Sequence, residues 1–287
     1  MITLNGKEIS EIQSLIKLID DEESVYAIAK EKLINYGESA LEYLLQENSN
    51  ISSLFLRRRD EIQELILRNY FKENIRLIPR ESNGDINLEE IVFLIARQRY
   101  IMLDFTTYRN QISQFSKELK DKTSTVIEPV DVFHRIIEFF CSEKQFNGNS
   151  IDYYNEENHY INKVLDTKLG SPISLSVIYL LVCRKINLPI YGIGLPGHFI
   201  LRFSFDMKHI YFDPFDSGKV LFKDDCAKIV ENLGYTYSDE FLEPISNKQI
   251  AERMLRNIIL SLEKNRETQR IETIRQNIDY LNNATEQ

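Results

Sequence analysis

The spacing of apolar residues over the first part of the chain predicts helices throughout. Apolar side chains recur every three or four positions from Ile9 onward, and the same period returns over residues 54–77 and 88–102. The polar run at 120–125 predicts a linker after these helices. Residues 1–125 are therefore expected to form an all-helical N-terminal domain.

The most apolar segment lies between Ile173 and Val182, where a helix would be apolar on nearly every face. Such a helix is buried in the centre of a fold rather than laid on its surface. Gly170 allows a sharp approach to this helix, Ser171 suits its N-cap, and Pro172 suits its first position. The pattern predicts a central helix that begins at Pro172.

Three strands are predicted after the central helix, the first at Ile190–Ile193. Residues 198–205 alternate in polarity, with phenylalanine and leucine on one face, and a third segment ends at Asp213. A turn at 206–208 brings Asp213 back to within a few residue steps of His198. A hydrogen bond between the two side chains would fix the imidazole tautomer and raise its basicity, as a general base requires.

Two amphipathic helices are predicted at the end of the chain. Ser246 and Gln249 have the spacing of a capping box, and the helix that they open carries an apolar stripe. Residues 271–281 repeat the same period. We expect a C-terminal helical hairpin over residues 244–287, whose apolar stripe must dock on another surface.

The charge of the chain argues against broad nucleic-acid binding. Acidic residues outnumber basic ones by 44 to 35, and the net charge is −9. Binding driven by phosphate contacts needs clustered lysine and arginine. The run Arg57-Arg58-Arg59 is the exception, but Asp60 and Glu61 follow it, so we interpret the run as a solvated helix face.

The cysteines and the hydropathy pattern bear on the cellular setting. Three cysteines, an odd number with no metal-binding spacing, predict free thiols in a reducing compartment. The first residues have no basic start followed by an apolar run, and no stretch approaches the roughly 20 apolar residues that span a bilayer. These patterns predict a cytoplasmic protein with no membrane association, no metal site and no cofactor.

Three short motifs together resemble the transglutaminase-like superfamily and, more narrowly, the SirB-type bacterial proteins. The motifs are Gly170-Ser171-Pro172-Ile173-Ser174-Leu175-Ser176, Leu195-Pro196-Gly197-His198-Phe199 and Asp213-Pro214-Phe215. The resemblance implies an α+β protein with three parts. These are the helical N-terminal domain, a papain- or transglutaminase-like core at 126–243 in which a buried helix packs on a small antiparallel sheet, and a short tetratricopeptide-like tail.

The chain departs from that family at one position. Transglutaminase-like enzymes pattern their core helix as Gly-x-Cys, with an arginine twelve residues after the cysteine and a Gly-Ile-Pro beyond it. Laid over the chain without gaps, this pattern matches Gly170 and Arg184, and it puts the cysteine on Pro172. The family's histidine and aspartate match His198 and Asp213. The resemblance thus implies two members of a catalytic triad, the histidine and the aspartate, whereas the third member, the nucleophilic cysteine, is missing.

Neighbouring hydroxyl groups are weak candidates for that missing group. Ser174 and Ser176 lie inside the predicted helix, whereas Ser171 is expected to be occupied as its cap. Either serine would need His198 within hydrogen-bond reach and an oxyanion hole. Cys183 lies about three helical turns beyond Pro172 and is predicted to be a core thiol.

Structural interpretations of the same residues stay open. His198 fits equally a structural histidine at the start of a strand, and Asp213 fits a carboxylate that binds nearby backbone amides. His134 and His159 are isolated, so we predict no metal-binding role for them. A cluster of tyrosines at 153, 154 and 160 could line a pocket or simply pack.

Three hypotheses for the function follow. The first, which we favour, is a transglutaminase-like pseudoenzyme that binds a protein or peptide, with a vestigial His198–Asp213 pair. The second is a hydrolase or acyltransferase that uses a serine or a water molecule with that pair. The third is a structural module of a larger assembly. An exposed pair beside Ser174 would favour the second, and a groove filled by side chains would favour the third.

Overall fold

The computed structural model describes residues 4–46 and 52–284 and consists mainly of helices. The helices are α1 (Gly6–Lys17), α2 (Glu23–Tyr36), α3 (Glu38–Leu44), α4 (Ser53–Asn74), α5 (Leu88–Arg97), α6 (Thr106–Thr123), α7 (Pro129–Ile137), α8 (Ile161–Thr167), α9 (Pro172–Arg184), α10 (Lys223–Glu231), α11 (Asn247–Asn265) and α12 (Thr268–Ala284). The strands are β1 (Asn147–Gly148), β2 (Leu169–Gly170), β3 (Ile190–Ile193), β4 (Ile200–Phe205), β5 (Lys208–Asp213) and β6 (Lys219–Leu221). The predicted mixture of helices with a small sheet is confirmed.

The chain divides into two compact units that are not continuous in sequence. The first unit combines residues 1–78, 97–103 and 265–287, and the second combines residues 79–96 and 104–264. Helices α5 and α6 therefore share a unit with the sheet, whereas α12 belongs with the first four helices. The three consecutive domains expected from the sequence, 1–125, 126–243 and 244–287, stay a prediction. Apolar periodicity shows which face of a helix is buried, but it does not show which element covers that face.

The first unit is a helical bundle around an aliphatic core. Helix α1 begins at a reciprocal cap, in which the Asn5 side chain accepts from the backbone amide of Glu8 and the Glu8 carboxylate accepts from the amide of Asn5. Its apolar residues Ile12 and Ile16 are buried with side chains of α2, α3 and α4. Helix α12 packs along α4 in the same unit, where Arg68 donates to the Gln276 side chain at 2.8 Å.

One arginine in this unit corrects the sequence interpretation. Arg58 is buried rather than solvated: its guanidinium donates to the carbonyl oxygens of Ile19 and Asp21 at 2.9 and 2.7 Å and lies 4.1 Å from the ring centroid of Tyr26. A planar guanidinium can satisfy several carbonyls while it stacks on a ring, which a solvated face would not require. Arg57, by contrast, is exposed as predicted.

The second unit is built around α9, whose residues from Pro172 to Cys183 are all buried. Tyr179 stacks on Phe140 with ring centroids 3.7 Å apart, and Phe212 of the sheet lies 6.0 Å from the same tyrosine. The sheet is antiparallel in the order β3-β4-β5-β6. Its central pair is joined by the predicted turn, with Leu201 opposite Phe212.

One further feature of the second unit was also expected from local sequence. Ser246 and Gln249 form the predicted capping box before α11, with hydrogen bonds of 2.8 and 3.1 Å. In residues 4–46 and 52–284, no helix is both long and apolar enough to cross a membrane.

Candidate functional site

The N-terminus of α9 is closed by a reciprocal cap of two serines. The Ser171 hydroxyl accepts from the Ser174 amide, and the Ser174 hydroxyl accepts from the Ser171 amide at 2.9 Å. Pro172 follows at the first helical position, where its lack of an N–H costs nothing and its fixed φ favours the helix. Proline is thus suited to start this helix, and its ring brings no nucleophile to the position.

Both candidate serines are fully buried, and each donates its hydroxyl proton to a backbone carbonyl. Ser174 Oγ donates to the Asn158 carbonyl oxygen at 2.6 Å, and Ser176 Oγ donates to the Pro172 carbonyl oxygen at 2.7 Å. Among the described residues, neither hydroxyl forms a hydrogen bond with His198. In this arrangement the two hydroxyl groups stabilise α9 and its approach.

His198 and Asp213 form the hydrogen bond anticipated from the turn between β4 and β5. His198 Nε2 lies 2.7 Å from Asp213 Oδ2, and the other carboxylate oxygen accepts from the Phe215 amide at 2.8 Å. The carboxylate is therefore held at both oxygens. In the tautomer in which Nε2 donates to this carboxylate, Nδ1 is a hydrogen-bond acceptor. Within the part of the chain that the structure describes, no hydrogen-bond partner of Nδ1 is found.

The pair is partly open to solvent. The side chains of His198 and Asp213 are 19% and 10% exposed. Burial raises the pKa of the Tyr153 phenol, and the nearby charges of Tyr154 and Asp213 raise it further. Its ring centroid lies 5.9 Å from that of Phe215. The predicted tyrosine cluster is thereby split: Tyr153 lies near Asp213 with Tyr154 packed on it, whereas Tyr160 is buried.

A close backbone approach joins the end of β5 to the start of α9. Gly148 of β1 pairs with Gly170 of β2, two residues before Pro172. A Cβ atom at Gly148 would lie 2.5 Å from the Phe215 carbonyl oxygen, so only glycine allows this contact. This approach brings the chain around Asp213 beside the N-terminus of the core helix.

The turn that carries His198 is held from two sides. Arg253 of α11 donates through Nη2 to the carbonyl oxygens of Leu195 and His198, at 2.6 and 2.9 Å. Burial lowers the pKa of this guanidinium. Gly197 has a φ of 66°, and a Cβ atom there would lie 2.3 Å from Leu233 Cδ1. The backbone around His198 is thus fixed by hydrogen bonds from the Arg253 guanidinium and by the contact of Leu233 with Gly197.

His159 is a polar core residue that the sequence did not reveal. Its Nδ1 lies 3.1 Å from the Ser171 hydroxyl, and its Nε2 lies 2.9 Å from the Ser261 hydroxyl of α11. Burial lowers its pKa to about 4, so the ring is neutral near pH 7. Ser261 is 102 positions away, so no local spacing signals this contact.

The thiols are protonated and lie within the packed interior or next to it. Cys183 and Cys226 are buried, and burial raises the pKa of both, that of Cys226 to about 11. Cys141 Sγ lies 3.3 Å from the Tyr179 hydroxyl, and burial raises its pKa as well. Thiolate nucleophiles need the opposite shift. In residues 4–46 and 52–284, no group of three or more His, Cys, Asp or Glu side chains could hold a metal ion.

Comparison with known proteins finds relatives of two kinds. A "UPF0162 protein" of Xylella fastidiosa is 30% identical over 178 residues, which is 60% of this chain and 63% of that protein. The "F-box only protein 21" of Homo sapiens is 27% identical over 242 residues, 78% of this chain and 36% of that protein, and its Mus musculus counterpart is 30% identical over the same length. The chain therefore spans less than two thirds of these relatives.

No solved structure matches the chain. The family described as "Transglutaminase-like superfamily" matches residues 106–256, more than half of the sequence. This range includes the whole of α9, the four-stranded sheet and the turn that carries His198. The chain belongs to the transglutaminase-like superfamily.

Proposed function

We propose that this chain is a non-catalytic, transglutaminase-like protein that binds a peptide or a peptide segment of a protein partner at the groove of His198. The observation that carries the proposal is Pro172 at the nucleophile position of α9, beside two serines whose hydroxyl protons are bound by carbonyl oxygens. The narrower SirB-type assignment is part of the same proposal.

Acyl transfer needs an atom that loses a proton to the imidazole and attacks a carbonyl carbon. Proline offers no such atom. Ser174 would have to give up its bonds to the Ser171 amide and to the Asn158 carbonyl oxygen, two groups that also bond to each other. Each lost hydrogen bond costs about 0.5–1.5 kcal/mol. The hydroxyls are therefore better explained as helix caps than as nucleophiles.

Exposed apolar side chains next to the pair support binding. Tyr153 packs on Phe215, two residues after Asp213, and Tyr154 packs on Tyr153. Leu233 lies against Gly197, the residue before His198, and is 53% exposed. We call Tyr153, Tyr154 and Leu233 the apolar rim. Aromatic side chains, tyrosine among them, are enriched at binding interfaces.

His198 would then act as a fixed hydrogen-bond acceptor. Its Nδ1 can accept from a peptide amide, while Asp213 prevents the ring from flipping. A half-buried, orientated acceptor gives selectivity for a backbone or side-chain N–H, because a ligand without that donor would leave Nδ1 unpaired in the complex.

The comparisons support a module that occurs in different proteins. In "F-box only protein 21" the matched region is 36% of a longer chain, whereas in the "UPF0162 protein" it is 63%. A region reused within chains of such different length is expected for a binding domain. The partial exposure of His198 argues against the purely structural alternative, which needs a groove filled by side chains.

Peptide-library selection on the full chain tests the proposal. We expect binders whose dissociation constant rises about tenfold or more in the double variant Tyr154→Ala/Leu233→Asp, since each rim side chain contributes on the order of 1 kcal/mol or more. Ile127→Asp changes an exposed apolar residue outside the rim and serves as the control. Absence of binders, or equal weakening in both variants, would contradict the proposal.

One observation keeps a hydrolytic alternative open. The His198–Asp213 hydrogen bond gives the imidazole the orientation of a general base with Nδ1 toward the groove, so a water molecule could be activated there. Turnover of an activated ester that disappears in His198→Gln would favour this second function. The absence of such turnover leaves peptide binding as the better account.

A further inference from the structure

A cavity in the first unit is lined by far more cationic groups than the composition of the chain would suggest. Its volume is about 630 Å³, and it lies between α4 and the start of α12. Five arginines line it, namely Arg57, Arg59, Arg99, Arg266 and Arg270. Three carboxylates share the lining, in a chain where acidic residues are in excess. The cavity therefore concentrates positive charge.

The ion pairs within the cavity leave part of this charge uncompensated. Arg59 pairs with Asp60 at 2.8 Å, and Arg270 pairs with Glu267 at 2.6 Å. Arg57 and Arg266 are exposed and form no ion pair among the described residues. Like charges held this close repel each other unless an anion lies between them.

The third carboxylate of the lining is Glu64. Burial raises its pKa, although a hydrogen bond from Thr273 and the charge of Arg270 act against that shift. With all three carboxylates counted, the five arginines of the lining outnumber the acidic groups by two.

The N-terminus of a helix adds to the positive electrostatic potential of the guanidinium groups. Helix α12 begins at this cavity, and its first turn contains no acidic residue. Helix N-termini favour negative charge. Glu267 precedes this turn and pairs with Arg270, so the helix N-terminus adds to the positive charge that Arg57 and Arg266 leave without an ion pair in the described part of the chain.

The lining also indicates what kind of anion fits. Among the lining residues that the structure describes, Leu45 is the only large apolar side chain, and none carries an aromatic ring that could stack on a base. Arginine matches phosphate oxygens bidentately, and a volume near 630 Å³ is within the range of small-molecule sites. We propose that this cavity binds a compact polyphosphate, either inorganic or carried on a small sugar-like core.

Isothermal titration of the full chain with inorganic tripolyphosphate and with inositol hexakisphosphate tests the site and distinguishes the two sources. We expect saturable binding of at least one of them, weakened by added salt. In Arg57→Gln/Arg266→Gln the dissociation constant should rise about tenfold or more, since a charge-assisted hydrogen bond contributes roughly 1.5–3 kcal/mol.

The matched control removes the same charge elsewhere. Arg135→Gln/Arg256→Gln changes two exposed arginines outside the cavity and should leave the affinity unchanged. A measurement on the unmodified chain needs no variant: the amide NMR signals of Gln269 and Arg270 should shift on titration. No binding at millimolar ligand, equal weakening in both double variants, or tighter binding of an acidic peptide than of either polyphosphate would overturn the proposal.

Discussion

His159 Nδ1 lies 3.1 Å from Ser171 Oγ, so the residue that caps the core helix is bonded to a buried, neutral imidazole. The second ring nitrogen reaches Ser261 of α11 at 2.9 Å. One histidine therefore connects the start of α9 to the helix that also fixes the turn of His198 through Arg253. The geometry of the candidate site depends on this interior contact.

Folding stability should fall with acid because of His159. Burial lowers its pKa from 6.5 to about 4 in the folded chain. Between those values the unfolded chain binds a proton that the folded chain does not, so stability is present above about pH 6.5 and is lost as the pH falls toward 4. The loss is about 3 kcal/mol from this group alone, at roughly 1.4 kcal/mol per pKa unit. Urea unfolding at several pH values measures it.

Two asparagine variants test this prediction, one at His159 and the other, as the control, at His209. His159→Asn keeps a hydrogen-bonding side chain but does not titrate, and should flatten the dependence of unfolding free energy on pH between 4 and 6.5. His209→Asn alters an exposed histidine and should not. Parallel pH curves for His159→Asn and the unmodified chain would contradict the assignment.

The two buried serines should differ in their contribution to stability. Ser174→Ala removes the bond to the Ser171 amide and the bond to the Asn158 carbonyl oxygen, although these two groups stay bonded to each other. A loss of about 1–3 kcal/mol is therefore expected for two hydrogen bonds at roughly 0.5–1.5 kcal/mol each. Ser176→Ala removes only a bond to the Pro172 carbonyl one turn back, and should cost less than about 1 kcal/mol. Denaturant titration of the two variants measures the loss in free energy of unfolding for each. Equal losses would contradict the stabilising role of the Ser174 cap.

Arg253 should hold the His198 turn without touching a ligand. Arg253→Met keeps much of the aliphatic stem but removes the two donors to the Leu195 and His198 carbonyls. Amide hydrogen exchange in 195–199 should quicken by roughly tenfold or more, because hydrogen bonds from a charged donor contribute about 1.5–3 kcal/mol each. Arg256→Met lies on the same helix, is exposed, and supplies the control. Unchanged exchange in Arg253→Met would show that the turn is stable by itself.

A cysteine at position 172 would restore the thiol of the family pattern, and the structure predicts that this thiol is reactive. In Pro172→Cys, a thiol at the first position of α9 lies at a helix N-terminus, which lowers a thiol pKa, and beside the His198 pair. Alkylation by iodoacetamide near pH 7 should be about tenfold faster or more than that of the native cysteines, whose pKa values burial raises. Peptide mapping after timed quenching gives the rates.

The double variant Pro172→Cys/His198→Gln separates the two causes of that reactivity. A histidine close to position 172 should account for much of the rate, so the double variant should react more slowly. Equal rates in the single and double variants would place His198 out of reach of the start of α9.

The part of the site that depends on local sequence could be predicted. Ser171 and Pro172 signal the start of α9, and the turn between β4 and β5 brings Asp213 to His198, because caps and hairpin turns need only a few adjacent residues. The contacts of His159 and Arg253 could not be predicted, since each joins positions more than fifty residues apart. Arg58 was misinterpreted for the same reason: its partners lie on a different segment.

The proposal of binding without covalent catalysis is tested most directly by acyl trapping. The full chain and His198→Ala, shown to be folded by their circular dichroism, are incubated with a fluorophosphonate probe and examined by intact mass. We predict no adduct on the unmodified chain, because Pro172 brings no nucleophile and the hydroxyls of Ser174 and Ser176 are bound by carbonyl oxygens. A stoichiometric adduct on a serine that disappears in His198→Ala would contradict the proposal.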